Sequence, residues 1–466
     1  MNRLTLAVIG IVLAIPTVAA VLAGPGNGAP AAQPQGALSR LQTRPVARNM
    51  TAVGHLRLGA NRFNGDVWVH RGHAYVGDWN FSVASEKRFC QAGPNDGVAV
   101  IDVRRPARPR LVSRLRIPAG TWAEDVVAYT ARSGPARGRD IAVAGIQVCG
   151  GPRTEAERFR GFVLWDVSRP SRPVELGRYS SGCCSTGVHS LEVRYRADLR
   201  RTFVYAAVPY AERADESSPS GRRDHDGRGE FRLVDVTSPA QPAEVSTWGV
   251  VRDARELEVR TRGCLPLALA HAVEPSADGR LAFVSYWDAG VIALDVSRPE
   301  SPVLRGRATV GADEDGDAHS ATYDERRKLL LSADEDFCNR ERRGYGYLRV
   351  WDWSRPGAPR QIGSFRTQRS RGSQNGNFLI HNPVLAGNLA YISWYEDGVR
   401  VVDVRNPRAP REVASFVPPP ERPSKSTDGP VPLGGTEVWG VVVDQATGLA
   451  YASDIFSGLW ILKRTG

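Results

Sequence analysis

One pattern recurs six times along this 466-residue chain. A run of β-branched and aromatic residues ends in aspartate, a proline follows four residues later, and a second proline stands three further on. The runs extend from Gly97 to Pro109, Gly161 to Pro173, Phe231 to Pro242, Gly290 to Pro302, Tyr347 to Pro359 and Gly398 to Pro410. Successive aspartates (Asp102, Asp166, Asp235, Asp295, Asp352 and Asp403) stand 51 to 69 residues apart. A seventh run, Gly458-Leu-Trp-Ile-Leu, lacks the Asp-Pro tail. Each run reads as a strand. The aspartate can accept hydrogen bonds from the amides of the turn that it opens, and proline fixes φ within that turn. A more polar, alternating run follows, as in Val303-Leu-Arg-Gly-Arg-Ala-Thr-Val, and suits an outer strand wet on one side. A further hairpin precedes each motif, for example at Leu281-Ala-Phe-Val-Ser-Tyr-Trp. Four-stranded units of this size, repeated about seven times, predict an all-β, seven-bladed β-propeller.

The two ends of the repeat region fit that prediction. The last unit has a hairpin (Val438 to Ser453) and a third strand (Leu459 to Leu462) but no fourth. Near the start, Ala52-Val-Gly-His-Leu-Arg-Leu has the character of the other fourth strands. An N-terminal strand that completes the last blade would close the ring and remove two exposed sheet edges. The propeller is therefore expected over residues 45–466.

The preceding residues read as an address. One cation at Arg3 is followed by an uncharged apolar run from Leu4 to Ala23, interrupted by Pro16 and ending in small residues. That is the order of a secretory signal, expected over 1–23. The alternative is an uncleaved membrane anchor, since the run is long enough to span a bilayer. Residues 24–44, rich in Gly, Ala, Pro and Gln, read as a flexible linker. Six cysteines (Cys90, Cys149, Cys183, Cys184, Cys264 and Cys338) fit an oxidising compartment and up to three disulfides, with connectivity open. No Cys-x-x-Cys pair is present. The net charge of +11 comes mostly from arginines spread among nearby acids. Without a basic block or a nucleic-acid motif, this argues against nucleic-acid binding.

The strand-Asp-x-x-x-Pro-x-x-Pro signature, as at Gly398 to Pro410, resembles the LVIVD-repeat β-propellers. The resemblance spans about Thr51 to Leu462. It implies the propeller fold and a secreted or cell-surface location. It implies no particular reaction, because the repeat residues are scaffold. More distantly, the pattern is similar to the selenium-binding-protein propellers, whose channel histidines are associated with metal. No distinctive motif of that group is present, and no residue role is carried over from it.

Aligning the innermost strand of each blade places a histidine at the same point in four successive blades: His189, His271, His319 and His381. The corresponding regions hold Asp66 in the first blade, Glu124-Asp125 in the second and Glu437 in the last. First strands line the channel of a propeller, so these side chains are expected to converge at one mouth. Imidazoles and carboxylates together suit a divalent transition metal. The metal-ligand candidates are His189, His271, His319, His381, Asp66, Asp125 and Glu437. Histidines at a repeat position can instead serve as hydrogen-bond links between blades or to channel water. The acidic loop Asp313 to His319 lacks the closing glutamate of a calcium loop and reads as solvated. Asp334-Glu335-Asp336 falls on the same face. His55, His70 and His73 read as surface or hairpin residues, and His225 lies in a polar insertion (Ala211 to Gly229). No Gly-x-Ser-x-Gly elbow and no phosphate-binding glycine loop is present.

These features predict a monomeric, secreted or cell-surface propeller acting as a binding module. Its partner would be an extracellular protein or a small-molecule ligand, with contact to a membrane only through an uncleaved N-terminal segment. The alternative is a metal-dependent hydrolase or oxidase using the channel histidines.

Overall fold

The computed structural model describes residues 44–466 except 60–62, 80–96, 149–158, 183–184, 212–227, 258, 260–265, 312–313, 337–344, 373–375 and 422–434. The expected signal, nearly all of the linker, the six cysteines, His225 and Asp313 lie outside the described residues.

Seven antiparallel sheets form a ring. The innermost strands are Asn64–His70, Val126–Thr130, Ser190–Arg196, Ala272–Pro275, Ala318–Asp324, Pro383–Ala386 and Val438–Asp444. We number the blades 1 to 7 in this order. Each inner strand packs against those of the two neighbouring blades, and the last meets the first. The core is accordingly a set of seams between blades. Phe203, Tyr205 and Phe231 of blade 3 meet Val273, Val284 and Ile292 of blade 4, for example, all of them buried.

The six motif turns share one hydrogen-bond pattern. Each aspartate accepts the amide of the residue two positions on, at 2.8–3.1 Å. Three residues after each aspartate a carbonyl accepts the amide three positions further on, also at 2.8–3.1 Å, which closes a turn with the first proline at its second position. That proline's carbonyl then docks on the blade before it. Ser113 and Ser246 donate their hydroxyls to Pro170 and Pro299 at 2.5 Å. At the equivalent places Gly54, Gly177, Gly306 and Gly363 let the carbonyls of Pro106, Pro239, Pro356 and Pro407 approach so closely that a Cβ would lie 1.7–2.4 Å from the oxygen. All six small residues sit beside the β-bulge of an outer strand. Blade 7 carries Lys463 where the others carry aspartate, paired with Leu449 as Asp403 is with Leu389. The facing position in blade 6 is Ala414, fully buried. The aspartate sets the turn and the proline carbonyl sets the spacing between blades.

The closure expected from the sequence is present. Met50–Leu56 is the fourth strand of blade 7, with Met50 opposite Arg464 and Leu56 opposite Leu459. One addition was not anticipated. Val46–Arg48 forms a fifth strand on blade 6, pairing with Ser415 to Val417. The segment from Val46 to Leu56 therefore clasps two adjacent blades. Among the described residues no helix is long and apolar enough to cross a membrane.

Candidate metal centre at the channel mouth

Local backbone geometry aims the channel side chains. In blades 1, 5 and 7 the inner strand carries an irregularity at its mouth end, between Asn64 and Val67, Ala318 and Ser320, and Val438 and Gly440. Such bulges re-aim side chains. The residues released from the ladder are Gly65-Asp66, His319 and Trp439. In blades 3, 4 and 6 the histidine stands just before the inner strand. There its amide is anchored to the hairpin partner: His189 to Ala207, His271 to Ser285 and His381 to Ser393, at 2.8–3.0 Å.

The four imidazoles meet as expected, in ring order. Centroid separations are 4.2 Å for His189–His271, 4.1 Å for His271–His319 and 4.1 Å for His319–His381. Trp439 continues the series at 3.9 Å from His381. All four histidines are at most 4% exposed. Trp79, Trp122, Tyr395 and Trp439 form part of a buried aromatic cluster beside them.

Hydrogen bonding orients the rings. His381 Nδ1 lies 2.7 Å from the Trp439 carbonyl, which can only accept, so Nδ1 donates and Nε2 keeps its lone pair. Nδ1 of His271 and of His319 has no hydrogen-bond partner. Nε2 of His319 and of His381 has no hydrogen-bond partner and is buried. His189 and His271 meet through their Nε2 atoms at 3.0 Å. His189 Nδ1 faces Gln147 Oε1 and Glu124 Oε2, each at 2.9 Å. Trp122 donates to the same Gln147 oxygen and Trp439 to the other oxygen of Glu124, both at 2.9 Å.

The carboxylate nearest the unspent nitrogens is Glu335. Its oxygens lie 3.6 Å from His319 Nε2 and 3.9 Å from His381 Nε2, and Tyr395 donates a hydrogen bond to it. One ligand atom from each of His271, His319 and Glu335 lies within 4.8 Å of the other two. Burial pushes His271, His319 and His381 well below the ordinary imidazole range, and neighbouring imidazoles add to the effect, so these rings are neutral. Burial pushes Glu335 well above the carboxylate range.

The other expected ligands fall in two groups. Asp66 and Asp125 lie close together in the channel. Asn382 donates to Asp66 at 2.8 Å and the Leu191 amide to Asp125 at 2.8 Å. Burial raises both, Asp66 further through Asp125 and Glu124, and Asp125 is pushed up to about 7. Glu437 belongs elsewhere, with Asn377 at 2.8 Å and with Glu396 and Asp454 as its charged neighbours. The bulge carries Trp439, two residues later, to the ring position expected of Glu437. The carboxylates that meet the imidazoles are Glu335 and Glu124, which repeat alignment did not single out as ligands. His55 stacks on Trp460 at 3.8 Å and His70 pairs with Asp140 at 3.0 Å, both away from the ring.

The donor set fits a borderline transition metal: neutral imidazoles, one adjoining carboxylate and, at His381, a ring nitrogen oriented by a backbone carbonyl in the manner of metal-bound histidines. His271, His319 and Glu335 would hold the ion, with His381 and His189 beside them.

No curated protein matches the chain. Residues 156–181, 272–310 and 384–417 match the LVIVD repeat; the first includes the motif and outer strands of blade 2, and the other two run from inner to outer strand in blades 4 and 6. The chain is thus a seven-bladed β-propeller in which three blades carry segments that match the LVIVD repeat.

Proposed function

We propose that this chain is an extracytoplasmic binding module whose channel mouth holds one divalent transition metal on His271, His319 and Glu335. The observation that carries the reading is the pair of buried Nε2 atoms of His319 and His381, without hydrogen-bond partners and facing the Glu335 carboxyl, that of His381 bearing its lone pair. Buried polar atoms without partners are rare because each costs about 1–3 kcal/mol. A cation would use these nitrogens and offset the burial of the carboxylate. The leader-like Leu4 to Ala23 and the six cysteines support a location outside the cytoplasm.

The hydrolase or oxidase reading uses the same residues, with an open coordination position for water. Imidazoles this deeply covered, beside Trp79, Trp122, Trp439 and Tyr395, favour a held ion over an open catalytic one.

The test is metal analysis of protein purified without a histidine tag. One equivalent of zinc, copper, iron or manganese is expected, lost in His271→Ala with the thermal transition retained. Metal-free, folded wild-type protein that takes up none of these ions on titration refutes the reading.

A further inference from the structure

A second group of acids lies between blades 4 and 5, around the loop that enters the inner strand of blade 5. One carboxylate oxygen each from Asp288, Asp315 and Asp317 lies within 4.8 Å of the other two. Asp288 comes from the second hairpin of blade 4, beside Trp287, and the other two come from the loop before Ala318. The sequence alone suggests a solvated acidic loop. The structure corrects this: Asp317 has no exposed surface, and neither of its carboxylate oxygens has a hydrogen-bond partner.

Among the described residues no ion pair to Asp317 is present. Arg349 is engaged by Glu314, at 2.6 Å, and by Asp334. The backbone is bent toward the cluster, with Gly316 at φ 111° and Asp317 at φ 38°, a left-handed value that is uncommon outside glycine. A small cavity of about 10 Å³ adjoins the cluster, bordered by Asp288, Gly316 and Asp334. That is room for roughly one water-sized species.

We infer that Asp288, Asp315 and Asp317 form a calcium site, separate from the imidazole ring and built from oxygen ligands alone. Carboxylate oxygens select hard cations over zinc or copper. Calcium, with oxygens at roughly 2.3–2.6 Å and a flexible coordination shell, accommodates oxygens up to 4.8 Å apart. The site ties blade 4 to blade 5. It also bears on the ring, because the Asp317 carbonyl accepts the Glu335 amide at 2.9 Å.

The experiment is a calcium titration of the full chain, stripped of metal by dialysis against chelator, read by calorimetry and by terbium luminescence sensitised through Trp287. One saturable equivalent per chain is expected. Asp317→Asn, nearly isosteric, should weaken calcium binding at least roughly tenfold, since even outer-shell changes at metal sites have effects of that size. Asp315→Asn, at a less buried position, should weaken it in the same direction and serves if Asp317→Asn does not fold. His271→Ala should keep calcium binding while losing the transition metal, so the two sites fail independently. No saturable calcium uptake by folded wild-type protein overturns the inference. So does wild-type affinity in a folded Asp317→Asn or Asp315→Asn variant.

Discussion

Gly306→Ala tests whether the proline carbonyls set the spacing between blades. Gly306 sits on the outer strand of blade 4 without a positive φ, so alanine suits its backbone. On conformational entropy alone the change should stabilise by about 0.4–1 kcal/mol. The geometry predicts the opposite sign. The new Cβ would lie 1.7 Å from the Pro356 oxygen and 2.7 Å from its carbonyl carbon, where real contacts essentially never fall below 3.0 Å. The obstacle is backbone, pinned by the Asp352 turn, and no rotamer can relieve it. Blade 5 must move by more than an ångström or the turn must open, and overpacking of this kind costs about 1–3 kcal/mol. Ala414→Gly is the matched control, because no motif proline faces it; it should cost only the roughly 0.5–1 kcal/mol of glycine in a strand plus a small loss of contact. The assay is urea unfolding followed by tryptophan fluorescence, comparing midpoints and unfolding rates. A Gly306→Ala protein as stable as its parent refutes the docking argument.

Four further outcomes follow from the buried charges and the ring closure. Arg349→Met leaves the buried Asp334 carboxylate without its partner and should destabilise by about 3–5 kcal/mol, read as a lowered thermal midpoint; a change below about 1 kcal/mol refutes the pairing. In metal-free protein Glu335 keeps a proton that the unfolded chain releases near its ordinary pKa of 4.5, so its contribution makes stability fall as pH rises above that value. His271, His319 and His381 act with the opposite sign, adding stability as pH rises through 6.5. Glu335→Gln should therefore show a more positive slope of stability against pH than wild type between about pH 5 and pH 6, and equal slopes refute the assignment. Zinc uptake near neutral pH should release about one proton in wild type and none in Glu335→Gln, measured by calorimetry in buffers of differing ionisation enthalpy. Removing residues 44–56 should expose the Gly458–Arg464 edge and give concentration-dependent association in light scattering; a monodisperse, equally stable truncation refutes the closing role of this segment.

What could be read in advance was what the chain encodes locally. Asp295 bonds an amide two residues away and Pro299 shapes a turn within the same few residues, so their roles are visible in one repeat and reinforced by five more. The four histidines were legible because repeat register transfers position. Register also misled: a bulge between Val438 and Gly440 puts Trp439 where alignment placed Glu437. Glu335 was hard to find as a ring member because it comes from the other end of its hairpin and reaches the imidazoles of two blades only through the fold. The burial of Asp317 depends on the neighbouring blade, which spacing along the chain does not report. Gly306 and Ala414 look like ordinary small residues until the facing carbonyl is known.

The clasp made by Val46 to Leu56 has a consequence for how the molecule is born. Its partners, Ser415 to Val417 and Gly458–Arg464, leave the ribosome hundreds of residues later, so blades 1 to 5 must wait as an open arc while the last two are translated. Any factor that escorts the nascent polypeptide has that arc's raw edges to shield, and only the arrival of the final strand lets it let go.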